Sequence, residues 1–289
     1  MKVALVGTGK VGSLTLQYLA SNKSIEKLLI INRRKEYSEG LIMDTVSAFP
    51  ESIKRLQAAD FSDIKEADLV IITAGGIMKQ GQSPLEVVGI NKNIIKEILE
   101  KIKLKKTTVL VVIATQVDII TQYTQKLSGL NPSRVIGFGG SLDIRRLKCL
   151  LSQETGKNPN EINCYFIGEH GKRGISIFDE DVDNREKIDT DTKEYFPNLY
   201  KKIGSSSFFG PGKVLAELAE AVIEDKKEEL CVSCFNPKYR MYITWPCIIG
   251  KNGVEKIVDL KLKPNQEERL NKLVEQKKEE FENQYKDFV

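Results

Sequence analysis

The stretch "VALVGTGKVGS", residues 3–13, decides the fold, because it joins an apolar strand pattern to a glycine-rich turn and then to a helix pattern. Its glycines, Gly7, Gly9 and Gly12, follow the G-x-G-x-x-G spacing. The first glycine permits a tight turn, the second lets the backbone approach a pyrophosphate, and the third lets the helix pack closely on the sheet. The stretch therefore predicts a dinucleotide site at the start of the first helix.

The rest of the first half repeats this alternation of short apolar runs and helical patterns. The strand patterns "KLLIIN", "DLVIITAGG" and "TTVLVVIA" each precede a helix pattern, and "RVIGFG" follows the last of these helices. Continuous apolar strands that alternate with helices are typical of a parallel sheet covered on both faces. We therefore predict an α/β fold that begins with a Rossmann-type parallel sheet domain, the dinucleotide-binding domain, over residues 1–140.

The second half predicts an α+β catalytic domain with mixed or antiparallel strands over residues 141–289. A helix is expected from about Ser141, and the strand patterns "INCYFIG" and "GISIF" flank one short turn. Three further strand patterns, "ELCVSCF", "MYITWPCIIG" and "VEKIVDLKL", predict an antiparallel meander. The last stretch, "NQEERLNKLVEQKKEEFENQY", has apolar residues near helical spacing, and it predicts a helix that docks against the body without a chemical role.

Composition and charge exclude several classes of protein. The 289 residues are 41% hydrophobic and 29% charged, which is typical of a globular chain rather than a disordered one. The net charge of +4 is spread along the sequence, whereas a nucleic-acid-binding protein has a concentrated basic face. Met1 leads directly into a strand pattern, and no apolar run is long enough to span a membrane. We expect a cytoplasmic protein that binds small anions, and neither nucleic acid nor a membrane.

The cysteines do not predict a metal site. Cys231 and Cys234 have C-x-x-C spacing, but zinc needs two more good ligands and the chain has a single histidine. The neighbouring Leu230, Val232 and Phe235 instead indicate a strand, in which residues three apart point to opposite faces. Five cysteines without a secretory signal favour free thiols in a reducing compartment.

The residue that follows the second strand pattern bears on the choice of cofactor. An acidic residue about 20 positions after the glycine motif normally binds the adenosine ribose hydroxyls. This chain has Asn32 there, followed by Arg33 and Arg34. Asparagine removes the charge that would repel a 2′-phosphate, and an arginine could pair with that phosphate. The pattern favours NADP by a small margin over the alternative, in which both arginines are solvated and the cofactor is NAD.

The only histidine of the chain, His170, lies in "FIGEHGKRG", residues 166–174. Histidine suits proton transfer because its unperturbed pKa lies nearest to neutrality. In "GSLDIRRLK", Asp143 and Arg146 are three residues apart on a predicted helix, so both can enter one pocket. The alternatives are a turn histidine without a function and an ordinary salt bridge along a helix.

Together these segments make the chain similar to the L-lactate/malate dehydrogenase family. The resemblance runs nearly end to end, through "ITAGG", "VDIIT", "RVIGFGGSLD", "IGEHG", "SFFGPG" and "GKNGVEKIVDLKL". It implies an NAD(P)-dependent 2-hydroxy-acid dehydrogenase that transfers a hydride reversibly between nicotinamide and a small 2-keto or 2-hydroxy acid. His170 would then be the general acid/base, Asp143 would hold its imidazole, and Arg146 would bind the substrate carboxylate.

The resemblance also implies binding residues and an oligomer. The implied cofactor-binding residues are Gly7, Gly9, Lys10, Val11, Gly12, Asn32, Arg33, Gly75, Asn91, Ile113 and Thr115. The implied substrate-binding residues are Arg146, Met78, Thr115 and Ser207. The family forms dimers and tetramers, so a homodimer or homotetramer is expected by analogy.

Four positions depart from the family's pattern. Met78 stands where the family discriminates substrates, usually with arginine for malate or glutamine for lactate, and an apolar residue there argues against a second substrate carboxylate. Pro84 replaces a loop arginine that polarises the reacting carbonyl, although nearby Lys79 could substitute for it. Thr115 replaces an asparagine that contacts substrate. Lys172 replaces the usual acidic residue after "GEHG".

These departures leave two other functions open. Losing one preorganised donor to a developing oxyanion costs about 100- to 1,000-fold in rate. The main alternative is therefore a dinucleotide-binding homologue with weak or no dehydrogenase activity. A Rossmann-type glycosidase that uses NAD(H) transiently usually needs a metal site, for which this chain has few ligands.

Overall fold

The computed structural model describes residues 1–76 and 84–285, which form eleven strands and eight α-helices. The strands are β1 (Lys2–Val6), β2 (Lys27–Ile31), β3 (Leu56–Ala58), β4 (Leu69–Ile72), β5 (Val109–Val112), β6 (Val135–Gly137), β7 (Cys164–Ile167), β8 (Ile175–Phe178), β9 (Glu228–Asn236), β10 (Met241–Gly250) and β11 (Gly253–Ile257). The helices are α1 (Lys10–Ser21), α2 (Lys35–Ala48), α3 (Pro84–Lys101), α4 (Val117–Ser128), α5 (Gly140–Thr155), α6 (Arg185–Ile203), α7 (Phe209–Ile223) and α8 (Pro264–Tyr285).

The first half forms a parallel sheet in the order β3-β2-β1-β4-β5-β6. This is the strand order of the dinucleotide-binding Rossmann fold, so the predicted fold of the first half is confirmed. The chain order reverses between β1 and β4, which lie side by side in the sheet. A crevice opens at such a reversal, outside the carboxyl ends of the strands, and ligands of open α/β sheets bind there.

The apolar strands are buried on both faces. In β4, Leu69 and Ile71 belong to one core cluster, whereas Val70 and Ile72 belong to the cluster on the opposite face. Alternate residues of a strand point to opposite faces, so a strand covered on both sides needs an unbroken apolar run. The helices that alternate with the strands supply that cover, as the sequence predicted.

The second half contains the predicted antiparallel meander, but the meander continues the same sheet. β9, β10 and β11 pair in antiparallel order, and β9 joins the edge strand β6 through Gly137 and Ser233. A Cβ at Gly137 would lie 2.7 Å from the Cβ of Ser233, so the junction needs a glycine. The result is one nine-stranded mixed sheet that crosses the predicted domain boundary at residue 140.

Two elements outside this sheet frame the histidine. β7 and β8 form a two-stranded antiparallel hairpin whose connecting turn carries His170. Helix α8 packs on the body through Leu270, Leu273 and Val274, which are all buried, as its apolar spacing predicted. None of the described helices is both long and apolar enough to cross a membrane.

Candidate active site

The three motif glycines occupy positions that explain their spacing. Gly7 has a φ of +90°, and a Cβ there would lie 2.7 Å from the backbone nitrogen of Ala74. A Cβ at Gly12 would lie 2.3 Å from the carbonyl oxygen of Gly7 and 2.6 Å from Oγ1 of Thr73. A Cβ at Gly9 would meet nothing within 4 Å. The turn is therefore tight at its two ends and open at Gly9, where a pyrophosphate can approach.

A cavity of about 530 Å³ opens beside this turn, at the carboxyl ends of the parallel strands. Gly9, Asn32, Arg33, Tyr37 and Lys101 are among the residues that line it. The cavity lies at the chain reversal between β1 and β4, where an α/β sheet binds its ligand.

Asn32 is bound into the glycine-rich turn. Its amide oxygen accepts a hydrogen bond from the backbone nitrogen of Thr8 at 3.2 Å. Its amide nitrogen donates to the hydroxyl of Thr8 at 2.8 Å and to the hydroxyl of Ser38 at 2.9 Å. Asn32 therefore ties β2 to the turn, and it leaves the cavity without a carboxylate at this position.

The two arginines that follow Asn32 lie at the mouth of the cavity. The side chain of Arg33 is 81% exposed, and its guanidinium lies 3.9 Å from the carboxylate of Glu97 on α3. An ion pair this exposed contributes little to stability, so Arg33 can turn toward a ligand at small cost.

Gly75, which also lines the cavity, lies close to Asn91 and Ile113. A Cβ at Gly75 would lie 3.2 Å from Oδ1 of Asn91 and 4.0 Å from the carbonyl oxygen of Ile113. The backbone nitrogen of Gly76 donates to Oδ1 of Asn91 at 2.7 Å. The buried Nδ2 of Asn91 has no hydrogen-bond partner among the described residues. A buried amide donor needs an acceptor, so these residues fit a polar group of a dinucleotide.

The structure brings His170, Asp143 and Arg146 together. Nδ1 of His170 lies 2.5 Å from Oδ2 of Asp143, and Nη1 of Arg146 lies 3.1 Å from Oδ1 of the same carboxylate. The side chain of Asp143 is only 3% exposed, whereas that of His170 is 26% exposed. An ionised carboxylate only accepts hydrogen bonds, so Nδ1 carries a proton and Nε2 is the ring nitrogen available to a substrate.

The environment of His170 favours its protonated form. Burial by itself lowers the pKa of the imidazole, but the charge and hydrogen bond of Asp143 outweigh burial and raise the pKa above its usual range. The positive charge of Arg146 opposes this increase, and the more distant Asp118 adds to it. A raised pKa extends to higher pH the range in which His170 holds the proton that a general acid donates.

Two further residues that sequence reasoning missed position this group. A Cβ at Gly139, in the turn before α5, would lie 2.6 Å from Cγ of His170, so the glycine makes room for the ring. The guanidinium carbon of Arg146 lies 5.4 Å from the ring centre of Tyr195 on α6, a cation–π contact. The paired glycines of "GFGGSLD" were a signal for the first residue, but no local pattern indicates the second.

The remaining predicted residues lie near the ends of these strands and helices or outside the described part of the chain. Thr115 follows β5, and half-buried Ser207 precedes α7. The ammonium of Lys10 lies 5.2 Å from the ring centre of Phe208, which brings the segment of Ser207 next to the glycine-rich turn. Val11, in the first turn of α1, is partly buried and packs against the core. Met78, Lys79 and the side chain of Pro84 are outside the described residues, although α3 begins at Pro84.

Two protein-family models match nearly the whole chain. Residues 1–137 match the NAD-binding domain of lactate/malate dehydrogenases, and residues 140–288 match the α/β C-terminal domain of the same family. The first match includes the glycine-rich turn and the cavity, so the dinucleotide that the residues fit is NAD.

Curated relatives and solved structures agree with these matches. L-lactate dehydrogenase of Mycoplasma capricolum subsp. capricolum is 33% identical and covers 95% of this chain and 94% of its own. L-lactate dehydrogenase 1 of Lactobacillus acidophilus is 32% identical, and the match covers 96% of this chain and 93% of that relative. A lactate dehydrogenase from a Medee basin deep-sea metagenome library superposes with a TM-score of 0.87 at 27% identity, and 99% and 98% of the two chains are covered. The chain belongs to the lactate/malate dehydrogenase family and is an NAD-dependent oxidoreductase of 2-hydroxy acids.

Proposed function

We propose that the preferred substrate is a 2-keto acid with one carboxylate and an apolar side chain, such as pyruvate, which is reduced to the 2-hydroxy acid. The observation that carries the reaction is that His170 and Arg146 contact the two oxygens of one carboxylate, that of Asp143. This assembly supplies one acid for the carbonyl oxygen and one guanidinium for the shared carboxylate of every 2-keto acid.

Each member of this assembly has a distinct role. Nε2 of His170 donates a proton to the carbonyl oxygen as the carbonyl carbon is reduced, and it accepts that proton back during oxidation. Asp143 holds the ring through Nδ1 and stabilises the imidazolium. Arg146 binds the substrate carboxylate through its planar fork. When bound, the nicotinamide supplies the hydride for reduction and accepts it in oxidation.

The choice of a single carboxylate rests on Met78 and on the relatives. An apolar Met78 offers no partner for a second carboxylate, and burying an unpaired carboxylate is costly. The two curated relatives named above are L-lactate dehydrogenases. Pro84 has no side-chain donor where the family pattern has a guanidinium, and Thr115 has a hydroxyl in place of an amide, so we expect a lower turnover than the family's residues would support.

A screen of 2-keto acids tests this proposal. Pyruvate, longer apolar 2-keto acids and oxaloacetate are compared by kcat/KM with NADH and with NADPH. We expect an apolar monocarboxylate to be preferred, and Arg146→Lys to raise KM for every acid because lysine cannot bind bidentately. No turnover with any acid would favour the alternative, a dinucleotide-binding homologue with little catalysis, and a strong preference for oxaloacetate would contradict the proposed substrate class.

For the cofactor, we propose that the NAD site also accepts NADP and prefers it slightly. Support comes from Asn32, which replaces a repelling carboxylate, and from Arg33 and Arg34 at the mouth of the cavity. Separate titrations with NADH and with NADPH, each followed by nicotinamide fluorescence, give the two dissociation constants and hence their ratio. The homodimer or homotetramer and the cytoplasmic location stay predictions, and sedimentation of the purified chain tests the first of them.

A further inference from the structure

A fully buried lysine of the C-terminal helix lies behind the catalytic turn. The side chain of Lys277 on α8 is 1% exposed. Its ammonium lies 2.9 Å from Oδ2 of Asp118 and 3.2 Å from Oε2 of Glu169. Both carboxylate side chains are also buried, at 2% and 6% exposure. A buried ammonium is stable only when it is paired in this way.

Each of these carboxylates belongs to a segment of the active site. Glu169 precedes His170, and Asp118 lies in the first turn of α4, three residues after Thr115. Lys277 therefore links two segments. One is the turn that carries His170, and the other is the start of α4, just after Thr115.

Further contacts hold this junction in one geometry. Arg173 lies in the same turn as His170. It donates hydrogen bonds to Glu169 of that turn and to Glu280 of α8. The hydroxyl of Thr244 donates to Oδ1 of Asp118 at 3.2 Å, and the backbone of Thr244 exchanges two hydrogen bonds with Gly168.

Helix α8 also packs directly on this turn. A Cβ at Gly168, which has a φ of +90°, would lie 2.7 Å from Cδ2 of Leu273. The catalytic turn thus lies against α8, which supplies both the apolar contact and the buried ammonium.

We propose that Lys277 is a positioning residue that holds the turn bearing His170 against the start of α4 and limits the negative charge that its imidazole experiences. The proposal rests on the proposed role of His170 as the acid/base. It gives the C-terminal helix a part in the chemistry, whereas the sequence predicted a helix that only docks.

The charges around His170 indicate the direction of the effect. They are Asp143 and Arg146 on α5, Asp118 on α4, Glu169 and Arg173 in its own turn, and Lys277 on α8. Burial raises the pKa of Glu169, but Lys277 and Arg173 outweigh burial and hold it below its usual range, so this carboxylate stays charged. Without the ammonium, the buried carboxylate of Asp118, whose charge raises the pKa of His170, would lose its neutralising partner, and excess negative charge favours the protonated imidazole.

The single histidine makes a direct test possible. In the untagged full chain, the NMR resonance of the imidazole Cε1–H reports only His170, so its titration is followed without assignment. We expect Lys277→Gln to raise the midpoint by up to about one pH unit, because Asp118 then loses its partner ammonium, and Asp118→Asn to lower it, because the charge of Asp118 favours the protonated imidazole. The double variant Asp118→Asn/Lys277→Gln restores the net charge and should return the midpoint toward that of the wild type.

A neighbouring lysine supplies the matched control. Lys278→Gln removes a charge from the same helix at a 42% exposed side chain that pairs with Glu275, and it should leave the midpoint unchanged. The acid limb of kcat/KM for hydroxy-acid oxidation should move with the NMR midpoint in each variant.

The outcomes separate this proposal from the role of His170. Equal midpoints in wild type and Lys277→Gln, or shifts of Lys277→Gln and Asp118→Asn in the same direction, would overturn the proposal for Lys277. If Lys277→Gln does not fold, the NMR midpoints of Asp118→Asn and of the double variant test the proposal. A midpoint in the double variant equal to that in Asp118→Asn would then contradict a charge effect of Lys277. Near-normal turnover in His170→Gln would instead remove His170 from the mechanism, and the NMR midpoints would still measure the charge effect of Lys277.

Discussion

Gly139 leaves room for the imidazole of His170, because a Cβ at position 139 would lie 2.6 Å from Cγ and 2.9 Å from Cβ of the histidine. The two residues come from different elements, the turn before α5 and the turn between β7 and β8. The turn that contains Gly139 leads into α5, the helix that carries Asp143. One backbone segment therefore sets both the position of the ring and the position of its carboxylate partner.

Gly139→Ala is expected to lower kcat by about 100-fold, because displacing a reacting group by about 1 Å has an effect of this size. The added methyl must push the ring away or shift the turn, and either movement alters the contact with Asp143. Steady-state kinetics with the preferred 2-keto acid measure the loss, and circular dichroism checks that the fold is retained.

Gly40→Ala is the matched control for this substitution. Gly40 lies within α2, and a Cβ there would meet nothing within 4 Å. Kinetics should be unchanged, and alanine should raise the free energy of unfolding by about 0.4–1 kcal/mol by restricting the unfolded chain. Full turnover in Gly139→Ala would show that the ring has room to move without loss of function.

His170→Gln should reduce turnover by at least about 100-fold while leaving cofactor binding nearly intact, because it removes the proton donor but no group of the dinucleotide crevice. Turnover and NADH affinity are measured separately, the latter by fluorescence titration. Lys172→Gln, an exposed neighbour that pairs with Glu194, serves as the control with normal turnover.

The two directions of the reaction should depend on pH in opposite ways. Reduction needs protonated His170, so kcat/KM for the keto acid should be highest at low pH and fall as pH rises through the raised pKa. Oxidation needs neutral His170, so kcat/KM for the hydroxy acid should rise through the same pKa. Both profiles are measured over the stable pH range, with His170→Gln as the control that lacks this transition.

Asp143→Asn should move this transition to lower pH, because the carboxylate is what raises the pKa of His170 against the effect of burial. Its kcat should also fall, since an amide can hold the ring in the wrong tautomer. A transition at unchanged pH in Asp143→Asn would assign the raised pKa to another charge.

Asn32→Asp should shift cofactor preference toward NAD. A carboxylate accepts hydrogen bonds from ribose hydroxyls and repels a 2′-phosphate, whereas the amide of Asn32 is uncharged and its oxygen already accepts from Thr8. The ratio of the dissociation constants for NADH and NADPH is the measurement. The turn itself is monitored by thermal stability, because aspartate loses the bonds that Asn32 donates to Thr8 and Ser38.

Arg33→Ala tests the other half of the same preference. It should weaken NADPH binding and leave NADH binding unchanged, since an arginine pairs with the 2′-phosphate only. If the wild type binds NADH more tightly and neither variant changes the ratio, Arg33 and Arg34 are only surface charges and the cofactor is NAD alone.

Met78→Arg should raise oxaloacetate turnover relative to pyruvate, through one new charge-assisted pair that contributes about 1.5–3 kcal/mol. The comparison of kcat/KM for the two acids in wild type and variant measures the change, and Met78→Gln provides a neutral control. A wild type that already prefers oxaloacetate by orders of magnitude would mean that Lys79 or another cation recognises the second carboxylate.

Local pattern was sufficient for the parallel half of the fold. A tight turn is indicated by the glycine spacing at Gly7, Gly9 and Gly12. Burial on both faces is indicated by the unbroken apolar runs of β1, β4 and β5. Both patterns depend only on neighbours in the chain. Strand β3 was missed, because the three residues Leu56–Ala58 are too few to show a periodicity. The antiparallel meander was predicted, but its attachment to β6 was not, since one pair, Gly137 and Ser233, makes that junction.

The sequence by itself determined the fold class, the dinucleotide turn and the residues Asp143, Arg146 and His170, whose meeting the structure shows. Only the tertiary structure decided what surrounds them. Lys277 and Lys278 are adjacent in one charged helix, yet only Lys277 is buried, because its partners Asp118 and Glu169 lie 159 and 108 residues away in the chain. Apolar periodicity reveals which face of a helix is buried, but the burial of a charge depends on distant groups that pair with it, and no local pattern records those.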